Sequence, residues 1–188
     1  PKKSLFEVID SMEGDSLPVS SFVKMANGKT IPATTSQEKR FSSPIAPLCN
    51  KENCIMCNQC SFVCPHAVIR PIVGGPDELE HKPSFGTNEN WSILISKEDC
   101  TGCGLCTRIC PGTLGNKALV MEDKTETSEL EKEVFNNHIN KTTFPTNTVK
   151  GSQLNKSLFE FHGACAGCGE TSYIKLLTQL FGHKLVIA

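Results

Sequence analysis

Eight of the eleven cysteines fall into two runs with one spacing. Cys54, Cys57, Cys60 and Cys64 are followed by Pro65; Cys100, Cys103, Cys106 and Cys110 are followed by Pro111. Each run reads C-x2-C-x2-C-x3-C-P. Thiolates at this spacing hold 4Fe–4S clusters, and in paired runs the fourth cysteine of each ligates the cluster of the other. That rule assigns Cys54, Cys57, Cys60 and Cys110 to one cluster. It assigns Cys100, Cys103, Cys106 and Cys64 to the second. Two clusters held by interleaved loops form a relay for single electrons.

Other uses of the cysteines fit less well. Disulfide scaffolds belong to short secreted domains. Zinc sites use pairs of C-x2-C rather than runs of four closed by proline. Cys49 stands outside the spacing and reads as a buried or free thiol. A third group, Cys165 and Cys168, is a C-x2-C pair in a small-residue loop. Two cysteines complete neither a cluster nor a zinc site, so further ligands must come from elsewhere. A thioredoxin-like couple would have a strand before the pair and aromatic neighbours; here glycines flank it. His66, two residues past Cys64, reads as a solvent-edge packing residue, and Arg70 as a surface charge.

Composition narrows the function classes. The 188 residues carry 19 basic and 20 acidic side chains, for a net charge of −1. No basic stripe points to nucleic acid, and no apolar run reaches the length of a membrane span. Pro1, Lys2, Lys3 and Ser4 carry no apolar signal-peptide core, which argues against secretion. The length suits one to three small domains.

The cysteines must be positioned by short elements, which points to an α+β fold. Residues 1–49 form a connecting segment, with a capped helix from Ser4 to about Ser11, turn-rich chain from 12 to 50, and a short strand within 17–25. Residues 50–121 form the two-cluster domain. There 66–71 reads as a strand covering a cluster, and Gly74 to Asn90 as a long loop. Trp91–Ser96 reads as a strand that pairs with 118–121. Gly102 and Gly104 permit tight turns that aim amides at sulfur, and Pro65 and Pro111 bend the chain away after the fourth ligand. Residues 122–156 read as a linker with one short helix at 128–137. Residues 157–188 open an α/β unit: a helix from Thr171 to about Phe181, with Tyr173, Leu176, Leu177 and Leu180 on one face, ended by Gly182. A strand begins at Lys184.

Together these regions resemble pyruvate:ferredoxin oxidoreductase. The resemblance rests on Cys57-Asn-Gln-Cys60, on Cys64-Pro-His-Ala-Val-Ile-Arg-Pro71, on Lys150-Gly-Ser-Gln153, and on Gly163-Ala-Cys-Ala-Gly-Cys-Gly-Glu-Thr171. Ser172, where the family has proline, and Leu114-Gly115-Asn116 depart from the pattern without touching a ligand. The resemblance implies an internal fragment of a longer chain: a two-cluster ferredoxin-type domain, a linker, and the truncated start of a thiamine-diphosphate-binding domain. It implies that Cys165 and Cys168 bind part of a third 4Fe–4S cluster, and that Glu170 contacts thiamine diphosphate. Read from the residues alone, Glu170 is a first-turn acid favoured by the helix dipole.

The implied reaction is oxidative decarboxylation of pyruvate with coenzyme A to acetyl-CoA and carbon dioxide, its electrons passing to ferredoxin or flavodoxin. Thiamine diphosphate and Mg would serve the full-length enzyme, as a homodimer. The thiolates and clusters suit a reducing compartment, the cytoplasm or an anaerobic organelle such as a hydrogenosome. The alternatives are another 2-oxoacid oxidoreductase, a flavin-fused form, or a free-standing two-cluster carrier.

Overall fold

A computed structural model describes residues 4–29, 39–75, 79, 89–138 and 144–187. The chain divides into two compact units, residues 1–34 and 35–188. In the first unit, Ser4 and Glu7 close a capping box on helix α1 (Leu5–Asp10): the Glu7 N–H donates to Ser4 Oγ at 3.3 Å, and the Ser4 N–H to Glu7 Oε2 at 2.5 Å. The stretch expected to be a strand is instead a 3-10 helix, Val19–Met25. Pro18, held extended, starts it, and among the described residues no strand pairs with it.

The second unit holds every cysteine. Strand β1 (Ile45–Cys49) pairs antiparallel with β4 (Leu119–Asp123), and β2 (Ile69–Gly74) with β3 (Asn90–Ile95). Each cysteine run therefore lies between a strand of one sheet and a strand of the other. The pairing expected from sequence, Trp91–Ser96 against 118–121, does not form: β3 takes β2, and β4 takes β1. Strand β1 lies in the turn-rich region and contains Pro47, which an edge position in a two-stranded sheet tolerates. The Gly74–Asn90 loop falls mostly outside the described residues.

The core fills the space between these ribbons. Val68, Ile69, Ile95, Leu119 and Phe161 pack around Cys60, Cys100 and Cys106. Met56, Val73, Trp91 and Leu154 pack near Cys54. Strand β2 is buried along most of its length because helix α4 (Glu129–His138) lies over it, with Phe135 against Ile72. Ser128 and Glu131 cap α4 reciprocally, at 3.1 and 3.0 Å. That helix sits one residue from its expected span. Two short helices follow the first and second cysteine pairs, α2 (Gln59–Val63) and α3 (Leu105–Ile109). Helix α5 (Val149–Ser152) is capped by Thr148.

The last helix, α6 (Gly169–Phe181), ends at Gly182 (φ +56°) as its sequence predicts. Its polar face is the covered one. The apolar face of Tyr173, Leu177 and Leu180 is exposed, while Thr171, Lys175, Thr178 and Gln179 are buried. The amphipathic pattern marks two faces; hydrogen bonds from the polar one decide which is covered. Asn155 Nδ2 donates to Gln179 O, and Gln179 Nε2 to Asn155 O. After the helix, residues 182–184 form a 3-10 turn, and through Ile187 no strand forms.

Candidate iron–sulfur centres

The two cysteine runs adopt one backbone path. Met56 and Gly102, each two residues past the first cysteine, have φ of +56° and +69°. Asn58 and Gly104, each after the second cysteine, have φ of +58° and +71° and cap α2 and α3. These left-handed turns point amides inward: the Met56 N–H donates to Cys54 Sγ at 3.5 Å, and the Gly102 N–H to Cys100 Sγ at 3.4 Å. The third cysteine of each run sits inside its helix, and the fourth ends it. The expectation of tight turns at Gly102 and Gly104 describes what the chain does there. At Met56 and Asn58 the same turn is built without glycine.

Two cavities result, each with four cysteines in its lining. Cys54, Cys57, Cys60 and Cys110 line one. Cys64, Cys100, Cys103 and Cys106 line the other. Each takes three thiols from one run and the fourth from the other, because β1 and β4 bring the end of the second run back over the first. The remaining walls are mostly apolar: Ile93 and Leu119 on one side, Val68, Leu105 and Met121 on the other, with Asn58 at the first cavity and His66 and Thr101 at the second. Ala118 N–H donates to Cys110 Sγ at 3.3 Å.

The electrostatics fit a cationic guest. Burial pushes the Cys106 thiol up to about 12, with the thiols of Cys64, Cys100 and Cys103 adding to the rise. Burial likewise raises Cys60 and Cys100, the first helped by Cys54 and Cys57. Four thiolates cannot share a dry cavity unless a metal core neutralises them. With the amide donors, that donor set suits an iron–sulfur cluster. Cys49 is half-buried beside this set: a hydrogen bond with Cys54 and burial both raise its thiol.

The third pair lies on a loop packed against the second cavity. Cys165 is exposed and Cys168 half-buried, the latter at the start of α6. Amide and hydroxyl groups of Thr171 and the Glu170 amide hold the Cys168 thiol below its usual range. Gly167 (φ +74°) lies so close to the second run that a Cβ there would sit 3.3 Å from Cys103 Cβ. His162 fastens the loop. The Ala164 N–H donates to its Nδ1 at 3.2 Å, so Nε2–H donates to Pro65 O, at 2.8 Å. Glu170 is exposed in the first turn of α6, apart from the two four-thiol cavities.

Two bland expectations need correction. His66 is 3% exposed, not at the solvent edge: it stacks on His162, and burial then His162 lower its pKa. Arg70 is not a surface charge. Its guanidinium pairs with Glu160 at 2.7 Å and lies 4.5 Å from the ring centres of both Phe135 and Phe161. Nothing in the local pattern around either residue signals its burial, since their partners are 90 or more positions away or on another element.

Comparison with known proteins places the same stretch in an iron–sulfur family. Residues 46–111 match the 4Fe-4S dicluster domain family. Over 96% of its length the chain is 44% identical to the pyruvate:ferredoxin oxidoreductase of Moorella thermoacetica, of which it covers 16%. Its relatives are pyruvate oxidoreductases. A pyruvate-flavodoxin oxidoreductase of Enterobacter agglomerans is 41% identical over 99% of the chain, which covers 17% of that protein. A pyruvate dehydrogenase [NADP(+)] of Cryptosporidium parvum is 40% identical over 99%, with 10% of it covered. The chain thus spans between 10% and 17% of the length of these curated relatives. Among the described residues, no helix is long and apolar enough to cross a membrane.

Proposed function

We propose that this chain is the electron-relay stretch of a pyruvate:ferredoxin or pyruvate-flavodoxin oxidoreductase. The observation that carries the reading is the pair of four-thiol cavities, each built from both runs. Cys54, Cys57, Cys60 and Cys110 would hold one 4Fe–4S cluster; Cys64, Cys100, Cys103 and Cys106 would hold the other. Cys165 and Cys168 would supply two ligands of a third. When bound, the clusters supply one-electron transfer. The chain's own residues hold the sulfurs, donate amide hydrogen bonds to them and keep water out with apolar walls. The closeness of Gly167 to Cys103 supports a path in which the third site exchanges electrons with the cluster of Cys64, Cys100, Cys103 and Cys106.

The whole enzyme would join pyruvate and coenzyme A to give acetyl-CoA, carbon dioxide, a proton and two electrons. Residues 157–188 would begin the domain that binds thiamine diphosphate and Mg, with Glu170 on the thiamine. The enzyme would work as a homodimer, in the cytoplasm or an anaerobic organelle, with ferredoxin or flavodoxin as acceptor. The similarity to a relative named for NADP(+) supports a second reading of the acceptor, a form that passes electrons onward to that nucleotide.

Iron and acid-labile sulfide analysis of the anaerobically prepared chain tests the relay reading. About eight irons and eight sulfides are expected from two complete sites. About four, or none, would overturn it.

A further inference from the structure

Lys175 is 1% exposed, and its ammonium reaches no carboxylate among the described residues. Its three N–H groups meet three neutral oxygens: Ser61 O, Phe62 O at 3.1 Å, and Gln153 Oε1 at 3.3 Å. The cradle is fixed from behind, because the Ser61 hydroxyl donates to the same Gln153 Oε1 at 3.0 Å. Gln153 belongs to the Lys150–Gln153 string, whose role the two cavities do not explain.

An ammonium taken out of water without a negative partner is costly, and burial pushes Lys175 down to about 8. The other buried charges of this unit are treated differently. Asp99 has Lys39 at 2.6 Å, and Arg70 has Glu160. Lys175 faces instead the chain between Cys60 and Cys64, through the carbonyls of Ser61 and Phe62. Cys60 and Cys64 line different cavities. A neutral donor would satisfy the Ser61 and Phe62 carbonyls as well; a lysine there adds only charge.

We propose that Lys175 is a positioning residue for the relay, a fixed dry cation held against the chain segment that joins one ligand of each cluster and raising both reduction potentials. The proposal rests on the two-cluster reading above. Reduction adds one electron and one negative charge to a cluster, and a cation close by in a low-dielectric interior stabilises the added charge. The same helix carries Cys168 at its start, seven residues earlier, or about 10 Å along the axis. The segment bearing the third pair of thiols thus delivers a charge that tunes the other two stations.

The test is an EPR-monitored redox titration of the full-length, cluster-loaded enzyme and its Lys175→Met, Lys175→Gln and Lys175→Arg variants. Signals are first assigned with Cys54→Ser and Cys100→Ser. Iron is counted in every sample, so a wild type lacking two clusters in this domain defeats the relay reading rather than this proposal. With full iron content, Met and Gln should shift both potentials to more negative values. Arg should stay near wild type. Unchanged potentials in the Met and Gln variants would show that Lys175 only holds the fold. Should Met lose iron, the Gln and Arg variants decide, and equal potentials in those two overturn the proposal.

Discussion

His66 and His162 stack with ring centres 4.1 Å apart and planes 23° apart. One lies two residues past Cys64, the other three before Cys165, so the contact joins the loop of a cavity-lining cysteine to the third cysteine pair. Phe161 extends the join by donating its N–H to His66 O at 3.1 Å. The distance between the second four-thiol cavity and the pair Cys165 and Cys168 is thereby set by a packed contact rather than by a free loop.

Replacing His162 with Ala should release that loop. The change removes the stack and the bond to Pro65 O, a loss of roughly 2 kcal/mol of local stability. Amide hydrogen exchange at residues 163–168 should then quicken about thirty-fold. Cluster content in the two four-thiol cavities should stay at wild type. Unchanged exchange at 163–168 would mean that the loop is held by other contacts.

Arg70 fastens two elements to β2 at once. Its Nε–H donates to Ala67 O at 3.0 Å, while the rest of the fork holds Glu160 and lies between Phe135 and Phe161. Lysine can keep the ion pair but neither the fork nor the stacking. Arg70→Lys should therefore cost about 1–3 kcal/mol. In parallel thermal scans, cluster absorbance should disappear several degrees below wild type. An unshifted scan would reduce Arg70 to an ion-pair partner.

The division between what the sequence shows and what it hides follows from the range of the forces involved. Ligand spacing is local chemistry, so the two cysteine runs, the glycine turns at 102 and 104, and the end of α6 at Gly182 are all legible. Strand pairing is not local. The apolar pattern of 91–96 and 118–121 marks two strands but says nothing of which partner each takes. Pro47 and its turn-rich surroundings conceal β1 altogether. Lys175 is the hardest case, because a lysine in an amphipathic helix ordinarily marks the wet face. Here its partners are carbonyls 113 and 114 residues away, and only the fold brings them together.

Gly102 and Met56 hold equivalent turns, yet only one has room for a side chain. A Cβ at Gly102 would sit 2.3 Å from Ser43 Oγ, which itself accepts from the Ile45 N–H at 3.1 Å. The left-handed backbone adds about 1–2 kcal/mol of strain for alanine. Gly102→Ala should thus disturb the amide bond to Cys100 Sγ and loosen one site only. Under a ferrous chelator, the EPR signal of the Cys64, Cys100, Cys103 and Cys106 cluster should decay faster, the other at its normal rate. Equal acceleration of both would refute that locality.

Cys110 separates the two ways of grouping the thiols. By chain proximity it belongs with Cys100, Cys103 and Cys106; by the fold it lines the cavity of Cys54, Cys57 and Cys60. The route is visible in the backbone, since Ala118 N–H on Cys110 Sγ and Asn50 N–H on Ala118 O tie the end of the second run to the start of the first. Cys110→Ala should accordingly cost iron from the Cys54-containing site and leave the other four-thiol site filled, with about four irons remaining in this domain. The spectrum that survives should be abolished by a second change at Cys103 and untouched by one at Cys57. The reverse pattern would mean that each run ligates its own cluster, and the crossed assignment would fall.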